Sequence, residues 1–230
     1  MADYEPELPP ERVDRLRRWH EEAAAELRDL GAYDTRYLGL DLHVPELVFG
    51  PTPTSDLMGL CVMEAVQPGD RVLDMGCGAG GNALLSARIT DAVVAVDVNP
   101  HAVLATSANA DRNGLTGRVD VRESDLFAAV DGTFDLIVID PPFRWFTPAD
   151  ALERAITDEN YETLARFLGK APDHLRVGGA VLLFFGTSGD VAHLDRLSDA
   201  AGFTAETVAE RTIHVRGEAA TYFVRRLTLS

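Results

Sequence analysis

From Arg71 to the end of the chain, short apolar runs alternate with stretches of helical spacing, and this alternation restricts the fold more than any other feature. "RVLDM", "AVVAVD", "RVDVRES", "FDLIVID" and "GAVLLFFG" are each followed by polar or amphipathic segments. Runs apolar on both sides of their pleat, separated by 10 to 15-residue helices, specify βαβ units and a parallel sheet covered on both faces. The ending breaks this rhythm. "TAETVAERTIHVRGEAATYFVRRLTL" holds two strand-like runs with no room for a crossover helix, which predicts an antiparallel hairpin turning near Gly217.

Upstream, Pro9 and Pro10 lead into "ERVDRLRRWHEEAAAELRDLG", a helix stopped by Gly31. "YDTRYLGLDLHVPELVFGPTPTSD" reads as short strands or loops, and "SDLMGLCVMEAV" resumes helical spacing with Thr54 or Ser55 as N-cap. The expectation is an N-terminal helical extension and pocket-mouth segment over residues 1–50 and one α/β domain over residues 51–230.

Composition narrows the classes. Hydrophobic residues make up 46% of 230, yet every apolar run stops well short of the ~20 that cross a bilayer. The acidic start "MADYEPELPPER" does not resemble a signal peptide. A cytoplasmic protein without membrane partners is expected. Cys61 and Cys77 are the only cysteines and read as small hydrophobes, and no Cys/His spacing suggests a metal. His20, His43, His174, His193 and His214 read as surface or satisfied residues. A net charge of −16 argues against a nucleic-acid partner. Arg12, Arg15, Arg17 and Arg18 do not form a basic arm, because Glu11, Asp14, Glu21 and Glu22 interleave with them.

The first strand-to-helix junction, "VLDMGCGAGGNALLSA", places Asp74, Gly76, Gly78 and Gly80 in D-x-G-x-G-x-G spacing. Glycines there let the backbone turn tightly and approach a ligand. A dinucleotide pyrophosphate is one candidate for that loop, and an oxidoreductase the corresponding function. Three acids favour another ligand. Asp74 at the loop's mouth suits a cationic amino group, Asp97 ends the second strand where an acid can take ribose hydroxyls, and Asp125 follows the third strand within reach of an adenine amino group. A nucleoside with a charged amino-acid tail meets all three demands, and S-adenosyl-L-methionine is such a molecule.

"VLDMGCGAGG", "AVDVNPHAV", "ESDLF" and "DLIVIDPPF", in this order, resemble the class I S-adenosylmethionine-dependent methyltransferases over residues 45–229. The resemblance implies a Rossmann-like seven-stranded mixed sheet of order 3-2-1-4-5-7-6, with the last strand antiparallel and helices on both faces. It implies that Gly76, Cys77, Gly78 and Gly80 line the methionine moiety, Asp97 the ribose, and Val98, Asn99, Asp125 and Leu126 the adenine. "DVNPHAV" and "YETLARFLGKAPDHLRVGGAVLLFFG" look most like the branch that methylates a glutamine amide in peptide release factors.

"DPPF", Asp140 to Phe143, resembles that family's [NSD]-P-P-[YFW] loop, found in enzymes that methylate nitrogen conjugated to a planar group. Such a nitrogen is a poor nucleophile until acceptors hold its N–H bonds and free the lone pair. Asp140 offers a carboxylate, and Pro141 offers a carbonyl on a turn stiffened by Pro142. Phe143 is expected to stack on the planar group, Trp145 and Phe146 to extend that wall, and Thr52, Thr54 or Ser55 to reach the pocket mouth. The release-factor branch carries Asn where this chain has Asp140, and it has a larger N-terminal domain. A small nitrogenous metabolite is therefore the expected acceptor, with a protein glutamine or a nucleobase amino group of rRNA or DNA as alternatives and S-adenosyl-L-homocysteine as the product. A noncatalytic binding protein would be expected to lose the acid or the prolines, and this chain keeps them.

Overall fold

The computed structural model describes residues 4–149, 153–215 and 218–229. Pro9 and Pro10 start helix α1, Pro10–Asp29, whose Leu16, His20 and Ala24 recur at four-residue intervals and form its buried stripe. Strands β1, Tyr33–Tyr37, and β2, Leu40–Val44, then form a hairpin across Leu38 and Gly39, both at positive φ. Helix α2 spans Ser55–Ala65.

The main domain follows in the alternating order predicted: β3 Arg71–Met75, α3 Gly81–Ala87, β4 Ala92–Asp97, α4 Pro100–Arg112, β5 Val119–Glu123, β6 Phe134–Ile139, α5 Glu162–Lys170, β7 Leu175–Gly186, α6 Val191–Ala200, β8 Phe203–Val215 and β9 Glu218–Leu229. The strands lie in the order β5-β4-β3-β6-β7-β9-β8, which is the expected 3-2-1-4-5-7-6 once β3 is counted first. All pairs from β5 through β7 are parallel, while β9 runs antiparallel to both β7 and β8. The turn expected near Gly217 lies outside the described residues.

Period-two alternation within the apolar runs divides the core. Val72, Leu136, Val138 and Leu182 face one cluster with α2 and α3, whereas Leu73, Ile137, Ile139 and Val181 face another with α5. Helix α1 packs on the second side through Leu16. The terminal hairpin is tied down by a paired Arg211–Asp56 contact to α2 and an Arg15–Glu218 ion pair to α1.

After β3 the chain moves outward to β4 and β5, then crosses back to place β6 on the other side of β3. That reversal opens a crevice at the carboxyl ends of β3 and β6, where open α/β sheets hold their ligands.

Candidate active site

A cleft of about 880 Å³ occupies this crevice, within the ~300–1,000 Å³ usual for ligand sites. Its wall collects the chain's separate signals: Gly76, Cys77 and Gly78 after β3, Asp97, Val98 and Asn99 after β4, Asp125 and Leu126 after β5, and Asp140, Pro141 and Pro142 after β6.

The glycine loop is locked onto β4. The Gly76 and Cys77 N–H groups both donate to the Val96 carbonyl, at 2.8 and 3.0 Å. Gly78 N–H donates to Asp97 Oδ2 at 2.9 Å, and Asn99 N–H donates to Oδ1 at 2.9 Å. Burial raises the Asp97 carboxyl above the usual range, and those backbone donors oppose the shift. Gly78 has φ +53°, and a Cβ there would stand 3.0 Å from the Phe49 carbonyl oxygen. Only glycine keeps both the turn and the gap.

Other expected ligands sit differently. Asp74 is 2% exposed and lies behind the loop, where its carboxylate accepts from Ala83 N–H at 2.9 Å. It therefore supports the start of α3 instead of presenting a charge at the cleft. Gly80, at φ +90°, packs against Thr106 of α4. The Asn99 side chain caps α4 through His101 N–H and donates to the Leu47 carbonyl at the edge of the cleft. Asp125 pairs with Arg166 at 2.8 Å. Val98, by contrast, is 68% exposed beside the cleft, an apolar surface without a protein neighbour to cover it.

Asp140 differs from the other acids. Among the described residues nothing donates to its carboxylate, and burial alone pushes its pKa up to about 7. Asp74 is likewise pushed up to about 7, by burial, with Asp97 and Asp140 adding to the shift and Ala83 N–H opposing it.

The aromatic wall anticipated after Pro142 is not there. Phe143 packs among Phe184, Phe185 and Tyr222 and does not line the cleft. Trp145 and Phe146 are 6% and 5% exposed; Trp145 meets Tyr4 and Tyr161, while Phe146 meets His20 of α1. Their apolar area is used to dock the N-terminal extension. Thr52 and Thr54 also miss the cleft, because their hydroxyls bond to each other at 3.1 Å in the turn that starts α2. Thr54 is the N-cap position of α2 but makes no side-chain cap bond. Pro51 and Ser55 do reach the wall.

Several wall residues escaped the sequence reading, Tyr37, Phe49 and Asn82 among them. Tyr37 comes from the β1–β2 hairpin and donates to the Ser55 carbonyl at 2.8 Å, while Asp140 and Asp74 are close enough to raise its pKa further after burial. Phe49 contributes from the pocket-mouth segment and Asn82 from the first turn of α3. No motif marks Tyr37 or Phe49, since both precede the periodic part of the chain.

A seven-stranded Rossmann-like sheet, with a glycine loop, a strand-ending acid and an Asp-Pro-Pro turn around one cleft, defines a class I methyltransferase. The chain belongs to the methyltransferase small domain family, whose profile matches residues 54–212. The members take their methyl group from S-adenosylmethionine. The ribosomal RNA small subunit methyltransferase C of Alcanivorax borkumensis is 34% identical over 150 residues, 65% of this chain and 41% of that protein. The release factor glutamine methyltransferase of Cereibacter sphaeroides is 32% identical over 188 residues, covering 75% of this chain and 66% of that one. The ribosomal protein L11 methyltransferase of Thermosipho africanus is 41% identical over 97 residues, 41% of this chain and 36% of that protein. The chain thus spans less than half the length of the first curated relatives it matches. The same fold occurs in the ribosomal protein L11 methylase of Lactobacillus delbrueckii subsp. bulgaricus, with a TM-score of 0.58 at 22% identity over 83% of this chain and 84% of that one. It occurs again in the tRNA m1G37 methyltransferase of M. jannaschii, with a TM-score of 0.63 at 19% identity over 86% of this chain and 55% of that one.

These names overturn one expectation. The relatives are named for ribosomal RNA, a ribosomal protein and a release factor, so the small-metabolite acceptor inferred from Asp140 is withdrawn. The first residue of the loop is a poor guide to acceptor size, because it touches one nitrogen and not the molecule around it. No helix among the described residues is long and apolar enough to cross a membrane.

Proposed function

We propose that this chain methylates the side-chain amide nitrogen of a glutamine in a protein acceptor, acting in the cytoplasm. Asp140 carries the reading: an unpartnered carboxyl faces a cleft directly beside the glycine loop. An amide nitrogen shares its lone pair with the carbonyl and attacks only when its N–H bonds are held. The Asp140 carboxylate and the Pro141 carbonyl supply two acceptors there, and bonds to a charged group contribute about 1.5–3 kcal/mol each. They strengthen as the nitrogen becomes positive, so they favour the transition state over the ground state.

Bound S-adenosylmethionine supplies the electrophilic methyl group and leaves as S-adenosylhomocysteine. The chain's own residues hold and aim it. Gly76, Cys77 and Gly78 give the methionine part a close backbone surface, Asp97 retains lone pairs for ribose hydroxyls, and Val98 and Leu126 flank the adenine with apolar area. As the nitrogen–carbon bond forms and the sulfur–carbon bond breaks, the surplus proton passes from nitrogen to Asp140 and then to solvent.

The remaining wall supports a protein acceptor. Asp125, Asp158, Glu159 and Glu162 line the cleft, with Arg154 as its cationic residue among those described. An acid-rich wall disfavours a phosphate backbone more than a peptide. The share of this chain matched by the release factor glutamine methyltransferase agrees. The second reading, a nucleobase amino group in rRNA, is favoured by Asp140 standing where the release-factor branch has Asn, and by the rRNA methyltransferase relative.

Incubating the protein with methyl-labelled S-adenosylmethionine and the separated protein and RNA fractions of ribosomes and translation factors tests this. Label in protein, recovered as N5-methylglutamine, is expected. Label confined to RNA overturns the protein reading in favour of the second, and label in neither fraction removes both.

A further inference from the structure

With no hydrogen bond to its own side chain, Asp140 points where its backbone points. The backbone after it is held in an unusual way. Four consecutive carbonyls are gripped by one short segment, residues 157–161. Phe143 O accepts from the Tyr161 hydroxyl at 2.8 Å. Arg144 O accepts from Asp158 N–H at 2.7 Å and from the Thr157 hydroxyl at 3.0 Å. Trp145 O accepts from Asn160 N–H at 3.2 Å, and Phe146 O from the Thr157 hydroxyl at 2.8 Å.

Tyr161 is the end of this brace nearest the chemistry. It is fully buried, and it and Asn160 both hold φ +55°, a left-handed pair without glycine. Such residues cost of order 1 kcal/mol or more each and persist where the surroundings demand them. The Tyr161 hydroxyl is itself held, accepting from Asp190 N–H at 2.7 Å. The Asp190 carboxylate in turn accepts from the Tyr4 hydroxyl at 2.7 Å and from Glu7 N–H at 3.1 Å. Gly189 also lies so close that a Cβ would stand 2.3 Å from Phe143 O. The carbonyl is thus held by a hydroxyl donor and hemmed in by bare backbone. Pro141 and Pro142, with little freedom in φ, transmit that placement to Asp140.

We propose that Tyr161 is the positioning residue of the catalytic loop: its hydroxyl, anchored by Asp190, fixes the Phe143 carbonyl and thereby the direction of the Asp140 carboxyl. This rests on the role given to Asp140 above. Tyr161 touches neither reactant, and it acts through the loop.

The test is Tyr161→Phe, which keeps the ring among Trp145, Phe185 and His193 and removes only the hydroxyl. Methyl transfer to the acceptor fraction should fall about 10- to 100-fold, the scale of an ångström-level misplacement, with S-adenosylmethionine affinity within about threefold. A second readout needs no acceptor. The carbon-13 carboxyl signal of Asp140, assigned by its absence in Asp140→Asn, should titrate near 7 in the parent. In Tyr161→Phe its midpoint should drop by about one unit or more as the loosened loop admits water, with Asp74 and Tyr37 the titrating groups beside it. An unmoved titration overturns the brace, whatever the rate does. A moved titration with an unchanged rate sustains the brace and overturns the catalytic role of Asp140 instead. Should Tyr161→Phe fail to fold, Gly189→Ala crowds the same carbonyl and is read by the same two measurements.

Discussion

Met75 and Ile139 face each other across the β3–β6 ladder, the last register pair before both strands end. The next residues, Gly76 and Asp140, therefore emerge side by side, one opening the glycine loop and the other the Asp-Pro-Pro turn. Parallel pairing of two central strands thus brings the methyl donor's loop and the acceptor's acid together.

Under the proposed function, that adjacency makes Asp140 the residue whose charge state governs the rate. The carboxylate is the useful form, and its pKa near 7 means that activity is lost as pH falls through neutrality. The pH profile of kcat/KM should rise with a midpoint near 7. Asp140→Ala should lower turnover by about 10²–10⁴ while S-adenosylmethionine affinity stays within about threefold. Asp140→Asn, which like the protonated acid accepts a hydrogen bond but not a proton, should hold the parent's low-pH rate across the whole range and lose the rise near 7. A profile unchanged by Asp140→Asn would assign the titration elsewhere.

The same carboxyl should cost stability. Its folded pKa lies above the unfolded value near 3.8, so the native state binds the proton more tightly and is progressively destabilised as pH rises from about 4 to 7. Asp140→Asn should therefore melt higher than the parent at pH 8, by some 2–4 °C for each ~1 kcal/mol recovered, and this gain should vanish at pH 4. Thermal scans at the two pH values decide this, and a pH-independent difference would contradict it.

Asp97 and Gly78 predict cofactor affinity. Asp97→Ala removes the ribose acceptor and the anchor of Gly78 N–H together, and should weaken S-adenosylmethionine binding by about 1.5–3 kcal/mol. Gly78→Val forces a branched residue into φ +53° with its Cβ against Phe49 O, and binding should be lost in a folded protein. Calorimetry on the purified variants measures both, and parent-like affinity in either would place the ligand elsewhere.

His20 offers a prediction remote from the cleft. Expected to be a surface or satisfied residue, it is 4% exposed on α1, and neither ring nitrogen has a hydrogen-bond partner among the described residues. Burial lowers its pKa and Arg144 and Arg17 add to that, while Glu153 and Glu21 oppose it. A depressed folded pKa means that stability is lost as pH falls below about 6.5, because the unfolded chain takes the proton first. His20→Leu should raise the melting temperature, and more at pH 5.5 than at pH 8. An equal gain at both would mean that folding does not lower the His20 pKa.

The sheet was legible because buried parallel strands leave nearly continuous apolar runs, and the glycine loop because a tight turn beside a ligand restricts residue type so severely. Asp97 and Asp140 could be placed from their positions at strand ends. Trp145 and Phe146 could not: an aromatic after a catalytic turn looks the same in sequence whether it meets an acceptor or a helix. What told them apart was the N-terminal extension, with Tyr4, Leu16 and His20 lying against them from more than a hundred residues away. Tyr161 was hidden for another reason. Its partner is a main-chain carbonyl, and carbonyls leave no trace in a sequence.

Because residues 157–161 hold residues 143–146 by main-chain oxygens, the grip follows the route of the backbone and is indifferent to the side chains of residues 143–146, while it needs the Thr157 and Tyr161 hydroxyls that donate to them. Residues 143–146 and 157–161 therefore define each other. Transplanted together with the Asp-Pro-Pro turn, and with a glycine supplied beside the Phe143 carbonyl, they would bring their own geometry into a related sheet. Exchange of the Asp-Pro-Pro-Phe half alone would deliver the same letters without the aim.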